Sequence, residues 1–93
     1  MEPNVSPDGK QVVFAVERMH KKEKAYYSNL YLAGTNGRGS KQLTFGKRND
    51  HFPTWSPNGK QIVFIRKRET TTQIWILTMN GGEARPLTRL PRG

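Results

Sequence analysis

This chain of 93 residues contains no cysteine. Disulfide frameworks, thiolate metal sites and cysteine nucleophiles are excluded with it. It has only two histidines, His20 and His51, each in polar surroundings without a second histidine at ligand spacing. Both read as loop residues rather than as bases or metal ligands. No run approaches the roughly 20 apolar residues of a membrane-spanning helix, and no charged-then-apolar leader opens the chain. It reads as soluble, with no membrane partner. Also missing are the G-x-S-x-G turn of a serine nucleophile, the spacing of a phosphate loop and the D-x-[DN]-x-[DN]-G calcium loop. Acidic residues are scarce, 7 against 16 lysines and arginines, which leaves a net charge of +9. That excess invites a nucleic-acid reading, but no RNA- or DNA-binding motif sharpens it, so weak, sequence-independent association with polyanions is the expectation. No catalytic residue, cofactor-binding residue or metal ligand is assigned.

What the chain does have is an internal repeat. Ser6–Phe14, SPDGKQVVF, returns as SPNGKQIVF at Ser56–Phe64, an offset of 50 positions; Asn29–Thr44 returns at Gln73–Thr88, an offset of 44. A period in the forties marks a repeat architecture. The two offsets differ because the first copy carries about six extra residues, placed in the polar segment at about 17–27. Helix signals are confined to Glu17–Tyr27, which could form a turn or two of helix or extend a hairpin.

Each copy divides into four strands. Turn chemistry stands at Pro7-Asp8-Gly9 and Pro57-Asn58-Gly59, where proline presets one corner and glycine enters the left-handed region without steric cost. Asn36-Gly37 and Asn80-Gly81-Gly82 mark later turns. The strands of the first copy are expected at Glu2–Ser6, Gln11–Met19, Tyr27–Ala33 and Ser40–Phe45. Those of the second are expected at Phe52–Ser56, Gln61–Ile65, Gln73–Met79 and Glu83–Thr88. Ile62, Val63, Phe64 and Ile65 show little polar alternation, as in a strand covered on both sides. The fold class is therefore all-β: two four-stranded antiparallel β-propeller blades, a partial propeller, with a lone eight-stranded sandwich as the alternative. Residues 1–46 form the first blade and 47–93 the second. Val13, Phe14, Leu30, Leu32, Ile62, Phe64, Ile74 and Ile76 are expected in the core. Trp55, Trp75 and Tyr31 could stack nucleobases but read as core aromatics. With one face of each copy uncovered, self-association is expected.

The same residues carry a family resemblance. Pro3 with Ser6 to Gly9, Ser28-Asn29-Leu30-Tyr31, Leu43-Thr44-Phe45-Gly46 and Gly81-Gly82-Glu83-Ala84 resemble the opening blades of TolB-type propellers and of the prolyl oligopeptidase family of serine peptidases, its acylaminoacyl-peptidase and dipeptidyl-peptidase branch above all. Asn58 stands where that pattern has aspartate. The resemblance implies a cytoplasmic parent with further blades and an α/β-hydrolase domain, whose propeller admits short peptides to the active serine. Met1 before Glu2-Pro3, and Pro91-Arg92-Gly93 at an inter-blade junction, read as cut points in such a parent. The alternative is a TolB-like interaction module with no peptidase attached.

Function candidates on the chain itself are few. Ser6 and Ser56 lie in turns, where a hydroxyl binds backbone rather than attacks a carbonyl. Antiparallel order places the loop between the second and third strands of each copy and the inter-blade linker on one rim. There Arg18, Lys21, Lys22, Lys24, Lys47, Arg48, Arg66, Lys67 and Arg68 gather, opposed by Glu23, Asp50 and Glu69. A solvated face, a dock for an acidic surface of a catalytic domain and a nucleic-acid contact are the three readings of that rim.

Overall fold

The computed structural model describes residues 4–79 and 83–87. Their elements are all strands: β1 (Asn4–Val5), β2 (Gln11–His20), β3 (Ala25–Gly34), β4 (Lys41–Gln42), β5 (Asp50–Trp55), β6 (Gln61–Arg68), β7 (Thr71–Thr78) and β8 (Arg85–Pro86). They form two antiparallel four-stranded meanders in the orders β1-β2-β3-β4 and β5-β6-β7-β8. The expected all-β architecture is thus present, one sheet per repeat. No helix among the described residues is long and apolar enough to cross a membrane.

The serine turns set both registers. In each, the carbonyl of Ser6 or Ser56 accepts the amide of Gly9 or Gly59 at 2.9 Å, with the glycines at φ +75° and +73°. A side chain there would be strained, which is why glycine holds the position. The hydroxyl of Ser6 donates to Asp8 Oδ1 at 2.6 Å and accepts from the Gln11 amide at 3.0 Å. Ser56 repeats the arrangement with Asn58 Oδ1 at 2.7 Å and the Gln61 amide at 3.1 Å.

Several strands differ in extent from the sequence expectation. The extra residues of the first copy extend the hairpin, the alternative offered to a turn of helix, and carry it one residue further on β2 and two on β3 than expected: β2 and β3 stay paired out to His20 and Ala25. Likewise β6 runs on through the polar residues Arg66–Arg68, paired to Gln73, Thr72 and Thr71. Ladder hydrogen bonds are made by the backbone, so polar side chains do not end a strand that a tight turn keeps in register. The outer strands are shorter than expected, β4 and β8 being two residues each. Glu2, Pro3, Thr88 and the Asn80-Gly81-Gly82 turn lie outside the described residues. In β5 the ladder shifts between His51 and Thr54, where Pro53 has no amide to donate and Phe52 takes a left-handed φ of +54°.

The core is the seam between the sheets. Val13, Leu32, Trp55 and Ile62 form one buried cluster, and Leu30, Phe64 and Leu77 a second, with Ala15 packed against the latter. Residues from both repeats meet in each cluster. Trp55 Nε1 also donates across the seam to the Asn4 carbonyl at 3.0 Å. The linker Gly46–Asn49 is held by both sheets: the Ser28 amide donates to the Arg48 carbonyl at 2.7 Å and the Lys67 amide to the Asn49 carbonyl at 2.9 Å. Two expected core residues are corrected. Phe14 is only half-buried and Ile74 is 37% exposed, because both lie on sheet faces that the seam does not cover.

Candidate functional site

The β2–β3 turn, the linker and the β6–β7 turn come together at one rim. Lys21, Lys22 and Lys24 are exposed in the first turn, Lys47 and Arg48 in the linker, and Lys67 and Arg68 at the end of β6. Arg18, exposed on β2, donates to Asn29 Oδ1 at 3.2 Å. Lys47, Arg48, Lys67, Arg68 and Glu69 line a cleft of about 540 Å³ between linker and turn, with Arg66 and Gln73 behind them.

Part of this charge is already spoken for. Lys47 pairs with Glu23, which also accepts the Tyr27 hydroxyl at 2.5 Å. The Lys47 and Tyr27 hydrogen bonds hold the Glu23 carboxyl below its usual range, and the bond to Glu23 pushes Lys47 and Tyr27 up. This cluster ties the tip of the β2–β3 hairpin to the linker. As an exposed set of contacts it contributes little stability.

Arg66 is the correction within the rim. It is 5% exposed and bonded by two parallel hydrogen bonds to Asp50, itself fully buried: Nε to Oδ1 at 2.7 Å and Nη2 to Oδ2 at 3.0 Å. Its guanidinium lies 4.2 Å from the Trp75 ring centroid and 5.5 Å from that of Phe64. The cause is strand geometry. Arg66 follows Ile62 and Phe64 at intervals of two, so it shares their buried face rather than pointing to solvent. Sequence reading grouped it with Lys67 and Arg68 as one basic run; the alternation was the signal that separates it from them.

The two serines are turn caps, with no hydrogen bond to His20 or His51 among the described residues. No group of three or more histidines and carboxylates suited to a metal occurs among the described residues. What the arrangement offers chemically is a rigid two-sheet wedge with a cationic edge.

A known family matches this wedge. The model of the TolB beta propeller domain, PD40, covers residues 1–91. The chain belongs to that family. It is 34% identical over 93 residues to the uncharacterised peptidase YuxL of Bacillus subtilis, covering 99% of this chain and 14% of that protein. It is 32% identical over 90 residues to dipeptidyl-peptidase 5 of Porphyromonas endodontalis, covering 97% of this chain and 13% of that protein. The β-propeller domain of the Trilobed protease from Pyrococcus furiosus superimposes with a TM-score of 0.77 at 19% identity, over 95% of this chain and 26% of that one, and so agrees in fold. This PD40 chain is therefore a small part of the length of the peptidases it resembles in sequence.

Two measurements bear on its local chemistry. Asp8 is held below its usual carboxylate pKa, first by the Ser6 hydroxyl and then by the Lys10 amide. A lowered folded-state value stabilises at pH above the unfolded pKa, and that contribution is lost as pH falls through the folded value. The Gln11 and Lys10 amide resonances should accordingly titrate together, with a midpoint below the ordinary aspartate range. Those of Gln61 and Lys60, facing the non-titrating Asn58, should stay put. A midpoint at or above the ordinary value would contradict the turn geometry.

At the rim, Lys67→Ala/Arg68→Ala should weaken binding to heparin several-fold at low salt. Wild type and variant should converge as ionic strength rises, because screening removes exposed charge interactions beyond about 10 Å at 0.1 M salt. Salt-resistant or sequence-selective nucleic-acid binding, scored by band shift, would contradict the solvated-rim geometry.

Proposed function

We propose that this chain forms the first two blades of the propeller of a cytoplasmic serine peptidase of the acylaminoacyl-peptidase kind. In that reading the propeller stands over an α/β-hydrolase domain and admits short peptides while keeping folded proteins out. The observation that supports it most is that two relatives bearing peptidase names match nearly all of this chain. The chain's own chemistry suits such a role. Its serines cap turns, its apolar residues pack blade on blade, and its exposed cations offer an acidic domain surface a docking edge. It contributes shape and charge, and the bond-breaking groups belong to the hydrolase domain.

The test is the natural reading frame that contains this chain. It should encode a G-x-S-x-G turn and yield a protein that cleaves acyl-peptide or dipeptidyl chromogenic substrates but spares a folded protein bearing the same sequence. The 93-residue chain alone should hydrolyse neither. A reading frame with no nucleophile turn would favour the second reading, a TolB-like interaction module, which the description of the matching family supports.

A further inference from the structure

The linker between the blades is pinned on both sides. Its Arg48 carbonyl accepts the Ser28 amide at 2.7 Å, its Asn49 carbonyl accepts the Lys67 amide at 2.9 Å, and Asn49 forms a parallel β-bridge to Ser28. Arg48 is thereby anchored to the first sheet and Lys67 to the linker, so both side chains start from backbone that is held in place. The cleft of about 540 Å³ that they line has Arg66 behind it. Arg66 is 5% exposed, and Asp50 occupies its Nε and Nη2.

The charges around this cleft do not balance. Lys47 is offset by Glu23 and Arg66 by Asp50. Arg48, Lys67 and Arg68 make no side-chain hydrogen bond or ion pair among the described residues, and the one acid that lines the cleft with them is Glu69. That leaves an excess of two positive charges, brought together from the linker and the end of β6. Lys21, Lys22 and Lys24, by contrast, stand on a single exposed turn outside the cleft.

Arg48 and Arg66 also line a second cavity, of about 360 Å³, with Leu43, Phe45 and Ala84 and with Thr44 and Glu83. Phe45 is 64% exposed there. A cationic compartment and a more apolar one thus share two arginines. Each is walled by residues of both sheets, so the pair belongs to the junction between these two blades and not to an outer face.

We propose that the cleft binds a phosphate dianion, either the free ion or the phosphoryl group of a small phosphomonoester. The charge excess matches a group that carries about −1.5 to −2 at neutral pH. Arg48 and Arg68 supply planar forks for its oxygens, and Lys67 supplies a point charge. A single carboxylate would offset only half of the excess, whereas a long polyanion would engage the lysines of the hairpin turn as well. The inference does not depend on the peptidase assignment, since no bond is made or broken in the cleft.

The test is isothermal titration calorimetry on the natural protein that contains this chain, in a chloride buffer. Inorganic phosphate should bind one-to-one with a dissociation constant of about 0.1–1 mM, the range expected of two or three exposed charge-assisted contacts. Arg48→Ala should weaken it about tenfold, and Lys67→Ala/Arg68→Ala likewise, as charge-assisted bonds are lost. The control Lys21→Ala/Lys22→Ala/Lys24→Ala removes rim charge without touching the cleft and should leave the constant nearly unchanged. Phenyl phosphate separates the two sources. Binding several-fold tighter than that of inorganic phosphate, with the gain lost in Phe45→Ala, assigns the phosphoryl group of a larger ligand; equal binding assigns the free ion. Absence of saturable binding, or a loss in the lysine control equal to that in Arg48→Ala, overturns the proposal. If Arg48→Ala loses its strand circular-dichroism signal, Arg48→Gln replaces it. Peptidase turnover of the same protein is scored separately, so either assignment can fail while the other stands.

Discussion

Asp50→Ala is expected to cost about 3–5 kcal/mol of folding stability, the cost typical of removing one partner of a buried ion pair. The alanine leaves the Arg66 guanidinium, 5% exposed, with no carboxylate and little water. Domains of this size hold only about 5–15 kcal/mol in all, so the variant should sit near its unfolding midpoint in mild urea. Removing both charges is a different experiment. Asp50→Leu combined with Arg66→Met should recover most of the loss, since a well-packed apolar pair can replace a buried ion pair at little net cost. Urea denaturation at one low protein concentration reads both. If Asp50→Ala moves the midpoint no further than Glu69→Ala on the exposed turn, the pair is not what holds β5 against β6.

The second large effect separates two phenylalanines at the same repeat position. Phe64→Ala should cost about 3–5 kcal/mol, as for other buried aromatics cut to alanine. Phe64 is 1% exposed, and the cavity would open in the seam beside Leu30 and Leu77. Phe14→Ala should cost about 1–2 kcal/mol, because half-burial against Tyr31, at a ring separation of 6.0 Å, removes less apolar surface from water. Equal midpoints for the two variants in dilute solution would mean that the seam lies elsewhere.

Much of this was open to reading in the chain itself. The SPDG and SPNG turns fix hairpin register through backbone geometry that few other residues permit, and the repeat offsets then place every strand. Face assignment was harder. Val12, Val13 and Phe14 are all apolar, so alternation cannot say which of them meets the neighbouring sheet; only the docked partner decides. Strand ends were misjudged at Ala25 and Tyr26, left out of the expected third strand, and where polarity was taken as a boundary, at Arg66 to Arg68. The Asp50–Arg66 pair was hidden for another reason. Its members are 16 positions apart, and nothing short of the β5–β6 register brings a single acid opposite one cation of the three at Arg66 to Arg68.

The meander order of both sheets has a consequence for speed. Every sheet partner is the next strand along the chain, so each sheet can zip up from its turns with little loop-closure entropy, and such local topologies fold quickly for β proteins. The seam is different, joining residues as far apart as Val13 and Ile62, and it can form only after both zippers have closed. Substitutions at the serine turns should therefore slow folding, whereas substitutions at the seam should leave the folding rate nearly unchanged and accelerate unfolding. Stopped-flow chevrons of Ser56→Ala and Phe64→Ala would show the change on opposite arms, making the wedge a pair of quick hairpin sheets whose lifetime is set by how firmly they clasp.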